Sequence, residues 1–243
     1  MNILITNDDG IEAEGIKALV NWAKQLGNIT LVAPKVEQSG RSHSIDFKFP
    51  IEIKKVDFDG ADEAYSVNST PADCVRFAVI GLGKKYDLVL SGINRGVNLG
   101  IDISYSGTAG AIFEAGRLGM LGIALSTYPD TLDQITEYLD TVYTYLTENR
   151  LLSANPIYNI NIPPKPLGIR ITKQGSPYFS DEFVHQSGDM YMQMGGKIPD
   201  VCPDDLSRDT VALESGYISV TPLSTTRTDM TVFEQFKDLY KPL

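Results

Sequence analysis

The sequence predicts an α/β fold: a three-layer sandwich around a mostly parallel sheet, extended at its C-terminal end by a β-rich arm. Three observations carry this. Short apolar runs alternate with segments of helical period over the first two thirds of the chain, which demands crossover connections and hence parallel strands. Runs such as Asp87–Leu90 (DLVL) are continuously apolar, as in a sheet covered on both faces. After about residue 163 the alternation fades. There the stretch 176–208 lacks periodicity, yet it carries Tyr178, Phe179, Phe183, Met190, Tyr191, Met192 and Met194, too many apolar side chains for simple disorder.

Taken in order, Asn2–Thr6 (NILIT) reads as a buried strand. Glu12–Leu26 follows as a helix, with Ile16, Leu19, Val20, Ala23 and Leu26 near helical spacing and Gly27 as its stop. Ile29–Ala33 is the second strand, broken by Pro34, and Ser44–Lys54 and Ala64–Val67 read as extended. Thr70-Pro71-Ala72-Asp73 is a helix start, with Thr70 as N-cap, Pro71 in the first turn and an acid at the third position; that helix is predicted to run to about Leu82. Tyr86–Ser91 is a strand, and a Gly- and Asn-rich loop leads from it to a helix of small residues over Thr108–Leu118. Gly122–Thr127 is a strand, Thr131–Asn149 an amphipathic helix, and Tyr158–Ile162 a strand. Beyond these, strands are expected at Ile169–Lys173, Met190–Met194 and Tyr217–Thr221, and a last helix at Thr231–Leu239. Residues 1–243 therefore read as one domain, with 1–163 as the core and 164–243 as an extension bearing a hairpin arm and a terminal helix.

A chain of 243 residues, 42% hydrophobic and 21% charged, has the composition of a globular protein with a substantial core. No apolar run approaches the roughly 18–20 residues of a membrane span, and the N-terminus lacks a basic segment followed by a long apolar one. A cytoplasmic location is the expectation. The two cysteines, Cys74 and Cys202, form no CxxC and carry no metal or redox signature. The net charge of −10 argues against a nucleic-acid surface. It also means that a phosphorylated ligand needs a bound cation or a local basic cluster.

Four loops carry chemistry. Thr6-Asn7-Asp8-Asp9-Gly10 ends the first strand, where a turn lets two adjacent carboxylates face one point. Carboxylates that close repel unless a cation lies between them, and oxygen donors suit Mg²⁺ or Mn²⁺. Alone, the pair fits a turn capping the next helix equally well. Ser39-Gly40-Arg41-Ser42-His43-Ser44 offers hydroxyls and a cation after the second strand; a lone loop histidine such as His43 is more often incidental than catalytic. Ser91-Gly92-Ile93-Asn94-Arg95-Gly96 offers a neutral oxygen at Asn94. Ser106-Gly107-Thr108-Ala109-Gly110-Ala111 opens a helix whose free N–H groups and dipole favour phosphate. No GxxxxGK[ST] loop occurs. In a parallel sheet all four loops fall at the carboxyl edge, where ligands bind, and Lys35, Arg41 and Arg95 are expected to supply positive charge there.

TNDDG, APKVEQSGRSHS, SGINRGVNLG, YSGTAGA, YNINIP and GYISVTPL, in that order over nearly the whole chain, resemble the SurE survival protein family. The resemblance implies a Rossmann-like sandwich and a metal-dependent nucleotidase acting on nucleoside monophosphates at the 5′ position, with 3′ action and short polyphosphate, which some members of the family cleave, left open. It implies metal ligands at Asp8, Asp9, Ser39 and Asn94, one divalent cation (Mg²⁺ or Mn²⁺) per subunit, and a phosphate-facing loop through Ser106, Gly107 and Thr108. It also implies a homodimer or homotetramer built through the C-terminal arm. One departure is Lys35-Val36, where many relatives carry an acid and then an arginine.

The chemistry expected is hydrolysis of a phosphate monoester by metal-activated water, with Asp8 and Asp9 as catalytic groups. Asn94, Ser106, Gly107, Thr108, Arg41, His43 and Arg95 are the candidate phosphate and substrate contacts. A covalent aspartyl-phosphate is the rival route, but haloacid-dehalogenase phosphatases space their acids as DxDxT, whereas here they adjoin. Receiver domains also place paired acids after the first strand; they need an aspartate after the third parallel strand, where this chain has DLVLSGIN. A nucleotide-binding protein without turnover is the remaining alternative.

Overall fold

A computed structural model describes residues 1–239 and 241. Nine strands form one sheet: β1 (Asn2–Thr6), β2 (Asn28–Pro34), β3 (Ile53–Val56), β4 (Glu63–Val67), β5 (Leu88–Arg95), β6 (Leu121–Thr127), β7 (Ile157–Ile162), β8 (Ile169–Ile171) and β11 (Ile218–Leu223). Their order is β3-β4-β2-β1-β5-β6-β7-β11-β8. The pairs around β1 are parallel, as are β2/β4, β5/β6, β6/β7 and β8/β11; β3/β4 and β7/β11 are antiparallel. Among the described residues β9 (Glu182–Ser187) and β10 (Met190–Met194) pair only with each other, as an antiparallel hairpin.

The alternation in NILIT decides the layering. Ile3 and Ile5 pack on one side with Ile16, Leu19 and Val20 of α1 (Glu14–Ala23) and with Leu139, Val142 and Leu146 of α5 (Leu139–Glu148). Leu4 packs on the other side with Cys74 and Val75 of α2 (Pro71–Arg76) and with Ala111 and Ala115 of α3 (Gly107–Arg117). Successive strand residues point to opposite faces, so a strand with helices above and below must be apolar throughout. The alanines and glycines of α3 let that helix lie close to the sheet: a Cβ on Gly122 of β6 would stand 3.0 Å from the Cβ of Ile112.

The cap read at Thr70 is present, its hydroxyl accepting from the Asp73 N–H at 3.2 Å. Two expectations differ from the structure. The extended segment 44–54 is strand only at β3, because its earlier backbone is bonded elsewhere: the Asp46 N–H donates to Asp73 and the Ser44 carbonyl accepts from Thr70. The helix over 131–149 is divided into α4 (Leu132–Ile135), a 3₁₀ turn (Thr136–Tyr138) and α5. The break falls where the Thr136 hydroxyl turns back onto the Asp133 carbonyl. Past residue 163 the chain adds β8 and β11 to the main sheet, together with α7 (Asp209–Glu214) and α8 (Met230–Phe236); the short α6 (Leu151–Ala154) precedes β7. The predicted terminal helix thus spans Met230–Phe236 among the described residues. No helix among the described residues is long and apolar enough to cross a membrane.

Candidate active site

The chain runs from β1 outward to β2 and β4 on one side, then returns to place β5 on the other side of β1. The carboxyl ends of β1 and β5 are therefore the point where the winding reverses, the position at which open parallel sheets bind ligands. A cleft of about 450 Å³ opens there. Asp8, Asp9, Ser39, Asn94, Arg95 and Ser106 all line it, so residues far apart in sequence meet at one sheet edge.

Each is held by a local device. Asn7 closes the turn after β1, its amide donating to the Gly10 carbonyl at 2.8 Å and accepting the Gly10 N–H at 3.2 Å. Asp8 is only 5% exposed and accepts from the Thr108 hydroxyl at 2.6 Å. The α3 start comes so close that a Cβ on Gly107 would stand 2.9 Å from the Asp8 Cβ and 3.0 Å from its Oδ2; only glycine fits. Ser106 caps the same helix by accepting the Ala109 N–H at 3.1 Å. Asp9 is more open and accepts the Arg95 N–H at 3.2 Å. Between Ser91 and Asn94 the β5 register slips against β6. Gly92 sits there with φ +134°, and the Leu125 carbonyl occupies the space a side chain would need. Such a bulge re-aims the strand end and delivers Asn94 and Arg95 to the cleft.

Electrostatics mark the same spot. Burial pushes the Asp8 carboxyl up to about 6; the Thr108 hydroxyl pulls it down and the charge of Asp9 raises it further. Burial also raises Asp9, against the pull of the Arg95 N–H and with the added push of Glu37. Two adjoining carboxyls that both resist ionisation ask for a cation. The expected basic cluster does not supply it. Lys35 is turned away to an exposed pair with Glu52 at 3.0 Å, and Arg41 does not line the cleft. The lining holds five acids (Asp8, Asp9, Glu37, Asp102 and Asp181) against Arg95 alone.

Other sequence-predicted contacts are placed differently from the expectation. His43 is not in the cleft lining. Its Nε2 lies 2.8 Å from Glu114 Oε2, and its ring stacks near Phe113. Glu114 is 2% exposed and also bonds Arg76 and Arg117. The reason is a buried carboxylate that needs partners more than the solvent-facing cleft needs an imidazole. Thr108 likewise commits its hydroxyl to Asp8 and stands behind the carboxylate rather than at the cleft surface.

The motif reading also missed residues. Asn159 and Asn161 of β7 are fully buried, and both amides donate to the Asn98 carbonyl at 2.8 Å. Asn161 accepts the Asn98 N–H in return, and the Asn98 amide donates to Ser126. These bonds pin the loop 96–99 that walls the cleft. The signal was available: asparagines at i and i+2 of a buried strand share one face and need partners. Asp102 was also missed; it accepts the N–H groups of Tyr178 and Phe179 at 2.7 and 3.0 Å, drawing the root of the extension to the cleft.

Could the donor set hold a metal? Among the described residues no group of three His, Cys, Asp or Glu side chains forms a metal site. What the cleft offers is an all-oxygen set of mixed kind. The Asp8 and Asp9 carboxylates stand with Asn94, whose Nδ2 donates to the Gly96 carbonyl at 2.7 Å and leaves Oδ1 as acceptor. The Ser39 hydroxyl donates to Glu37 at 2.6 Å and keeps its oxygen lone pairs. Hard divalent cations fit such oxygens.

Fold and cleft together define a class: a doubly covered α/β protein with a carboxylate pair at the switch point of its sheet. The family model described as Survival protein SurE matches residues 3–181. The chain is 37% identical over 251 residues to the 5'-nucleotidase SurE of Thermosipho africanus, covering 99% of this chain and 98% of that protein. It is 36% identical over 258 residues to the 5'-nucleotidase SurE of Clostridium botulinum strain Alaska E43, covering 99% of both. The crystal structure of the SurE protein from Aquifex aeolicus superposes with a TM-score of 0.82 at 33% identity, covering 98% of each chain. The chain belongs to the SurE family.

Proposed function

We propose that this chain is a divalent-metal-dependent phosphatase that hydrolyses nucleoside monophosphates to nucleoside and phosphate, acting at the 5′ position. The observation that carries the reading is the carboxylate pair at the switch point, two groups that resist ionisation together in a cleft with a single arginine. The names of the relatives supply the substrate class.

Asp8, Asp9, Ser39 and Asn94 would hold one Mg²⁺ or Mn²⁺, which when bound polarises the phosphate and lowers the pKa of a water. The residues do the rest. Thr108 fixes the Asp8 carboxylate, so Asp8 acts as a rigid anchor. Asp9 keeps one oxygen clear of the Arg95 N–H and is the better placed of the two to take a proton from attacking water. Arg95 and the N-terminal end of α3 at Ser106 face the phosphoryl charge, with Gly107 behind them against Asp8. His43 contributes from the loop behind, through its contact with Glu114, rather than by touching substrate.

The hairpin β9–β10 supports assembly into a homodimer or homotetramer. Phe183, Met190, Tyr191, Met192 and Met194 are each half or more exposed, and a lone two-stranded ribbon is marginal in water. A cytoplasmic location accords with two unpaired cysteines, one of them exposed.

Phosphate release from a panel of nucleoside monophosphates, with Mg²⁺ or Mn²⁺ and with excess chelator, tests the reading. Release with metal and its loss with chelator are expected. A panel without release from any nucleotide sinks the nucleotidase; release that ignores chelator sinks the metal.

A further inference from the structure

The cleft is polar and acidic at its inner end, but two large aromatic side chains, Tyr105 and Phe179, also line it. Tyr105 is 62% exposed and Phe179 46% exposed, although each belongs to a well-anchored segment. What sets these two apart from other exposed apolar residues is that both flat faces line one cleft, the kind of surface on which a base stacks.

The anchoring is shared. Tyr105 ends the 3₁₀ segment Gly100–Tyr105, and its carbonyl accepts the Ser42 N–H at 2.9 Å. Asp102 lies in the same segment and accepts the backbone N–H groups of both Tyr178 and Phe179. The Phe179 ring then meets the Tyr178 ring edge to face at 4.9 Å. Tyr178 is itself buried, with its hydroxyl bonded to Glu214, so it backs Phe179 without entering the cleft. Asp209, fully buried, ties the segment down once more by accepting the N–H groups of Gly100 and Gly175. One short turn therefore carries one aromatic directly and holds the other through a carboxylate.

We propose that Tyr105 and Phe179 form a stacking clamp for the nucleobase of the substrate, so that this chain selects nucleotides over other phosphate monoesters by π-contact. The inference rests on the nucleotidase reading above and deepens it. Every base presents an aromatic face, so stacking is tolerant of base identity; the clamp selects for a base rather than for a particular one. It also fits the charge. An acidic cleft gains nothing from a second anionic group on the ligand, whereas a neutral heterocycle adds affinity without further repulsion. A cleft of about 450 Å³ lies within the range of small-molecule sites, roughly 300–1,000 Å³.

The experiment compares adenosine monophosphate with ribose 5-phosphate, which shares the phosphoester and sugar but lacks the base. The quantity read is the ratio of their kcat/KM values. Tyr105→Ala and Phe179→Leu are each expected to lower that ratio by about 5- to 150-fold, the worth of one stacked base. The loss should fall mainly in KM for the nucleotide. Tyr105→Phe and Phe179→Trp keep the π-face and are expected to keep the ratio. Phe179→Leu preserves apolar bulk, so a fall in that variant is not a loss of packing. Equal losses on both substrates, or an unchanged ratio in Tyr105→Ala and Phe179→Leu, would overturn the clamp while leaving the nucleotidase in place. Calorimetric titration with adenosine reads the same contact without turnover. A wild-type chain that releases no phosphate but binds adenosine, and loses that binding in Tyr105→Ala, would overturn the nucleotidase and keep the clamp; a chain that does neither overturns both.

Discussion

At the carboxyl end of β1, Asp8 is 5% exposed and held by the Thr108 hydroxyl; on the hairpin β9–β10, Phe183 is 69% and Met192 54% exposed, and among the described residues the two strands pair only with each other. One region buries charge and the other exposes apolar surface, each against the ordinary preference of its side chains. The difference teaches what each region lacks. The first keeps two carboxylates together by packing and fixed hydrogen bonds, as the proposed cation site requires. The second leaves apolar area uncovered, as the proposed assembly surface requires.

That comparison can be broken most forcefully at the carboxylates. Asp8→Asn is expected to cut kcat/KM for nucleoside monophosphates by at least about 10²-fold. Melting of the metal-free variant should be no lower than that of the wild type, since removing one of two repelling acids relieves the fold. A variant that loses both stability and activity would mean Asp8 is a structural cap. Gly107→Ala sharpens the same point without touching charge. Its added methyl meets the Asp8 side chain at 2.9 Å, so a loss of about 1–3 kcal/mol in denaturant unfolding and a fall in activity are expected.

A smaller effect belongs to the buried ion cluster behind the cleft. Burial pushes Glu114 up, but the bonds from His43, Arg117 and Arg76 outweigh it and hold the carboxyl down at about 2. A depressed carboxyl stabilises the fold above its ordinary value near 4.5 and loses that contribution as pH falls toward 2. Glu114→Gln should therefore destabilise the chain by on the order of 2–3 kcal/mol near neutral pH, and the gap to wild type should narrow below about pH 4.5 and close as the pH is taken down toward about 2. A gap independent of pH would show that shape, not charge, matters there.

On the hairpin side, replacing residues 183–193 by a short Gly-Ser link should leave the unfolding free energy of the remaining chain within about 1 kcal/mol, because few buried contacts are lost. The particle mass in sedimentation should drop. An unchanged mass would place the assembly surface elsewhere. The smallest effect is expected at Lys35→Ala: its pair with Glu52 is exposed on both sides and worth about 0–1 kcal/mol. A clear change in KM there would return Lys35 to the cleft.

The two regions also differed in how readable they were. NILIT and DLVL announced a doubly covered parallel sheet because burial on both faces leaves no room for polar alternation, and β1 and β5 pair in parallel within it. The position of Asp8, Asp9 and Asn94 at one edge followed from that topology alone. What spacing could not show was direction. Lys35, Arg41 and His43 sit in the right loops, but partners distant in sequence, Glu52 and Glu114, turn Lys35 and His43 away from the cleft. Asn159 and Asn161 were legible as a buried polar pair, yet their partner Asn98 lies some 60 residues away and only the fold brings it near. α7 was missed because its six residues are too few to display a helical period.

The proposed function stands on the carboxylate pair as a cation site. Titration of the intact chain with Mn²⁺, followed by the loss of the free-ion electron paramagnetic resonance signal, tests it most directly. One Mn²⁺ per chain is expected, competed by Mg²⁺, lost in Asp8→Asn and Asp9→Asn, and retained in Glu114→Gln. Binding that survives both aspartate substitutions, or a wild-type chain that binds no Mn²⁺, would contradict the account.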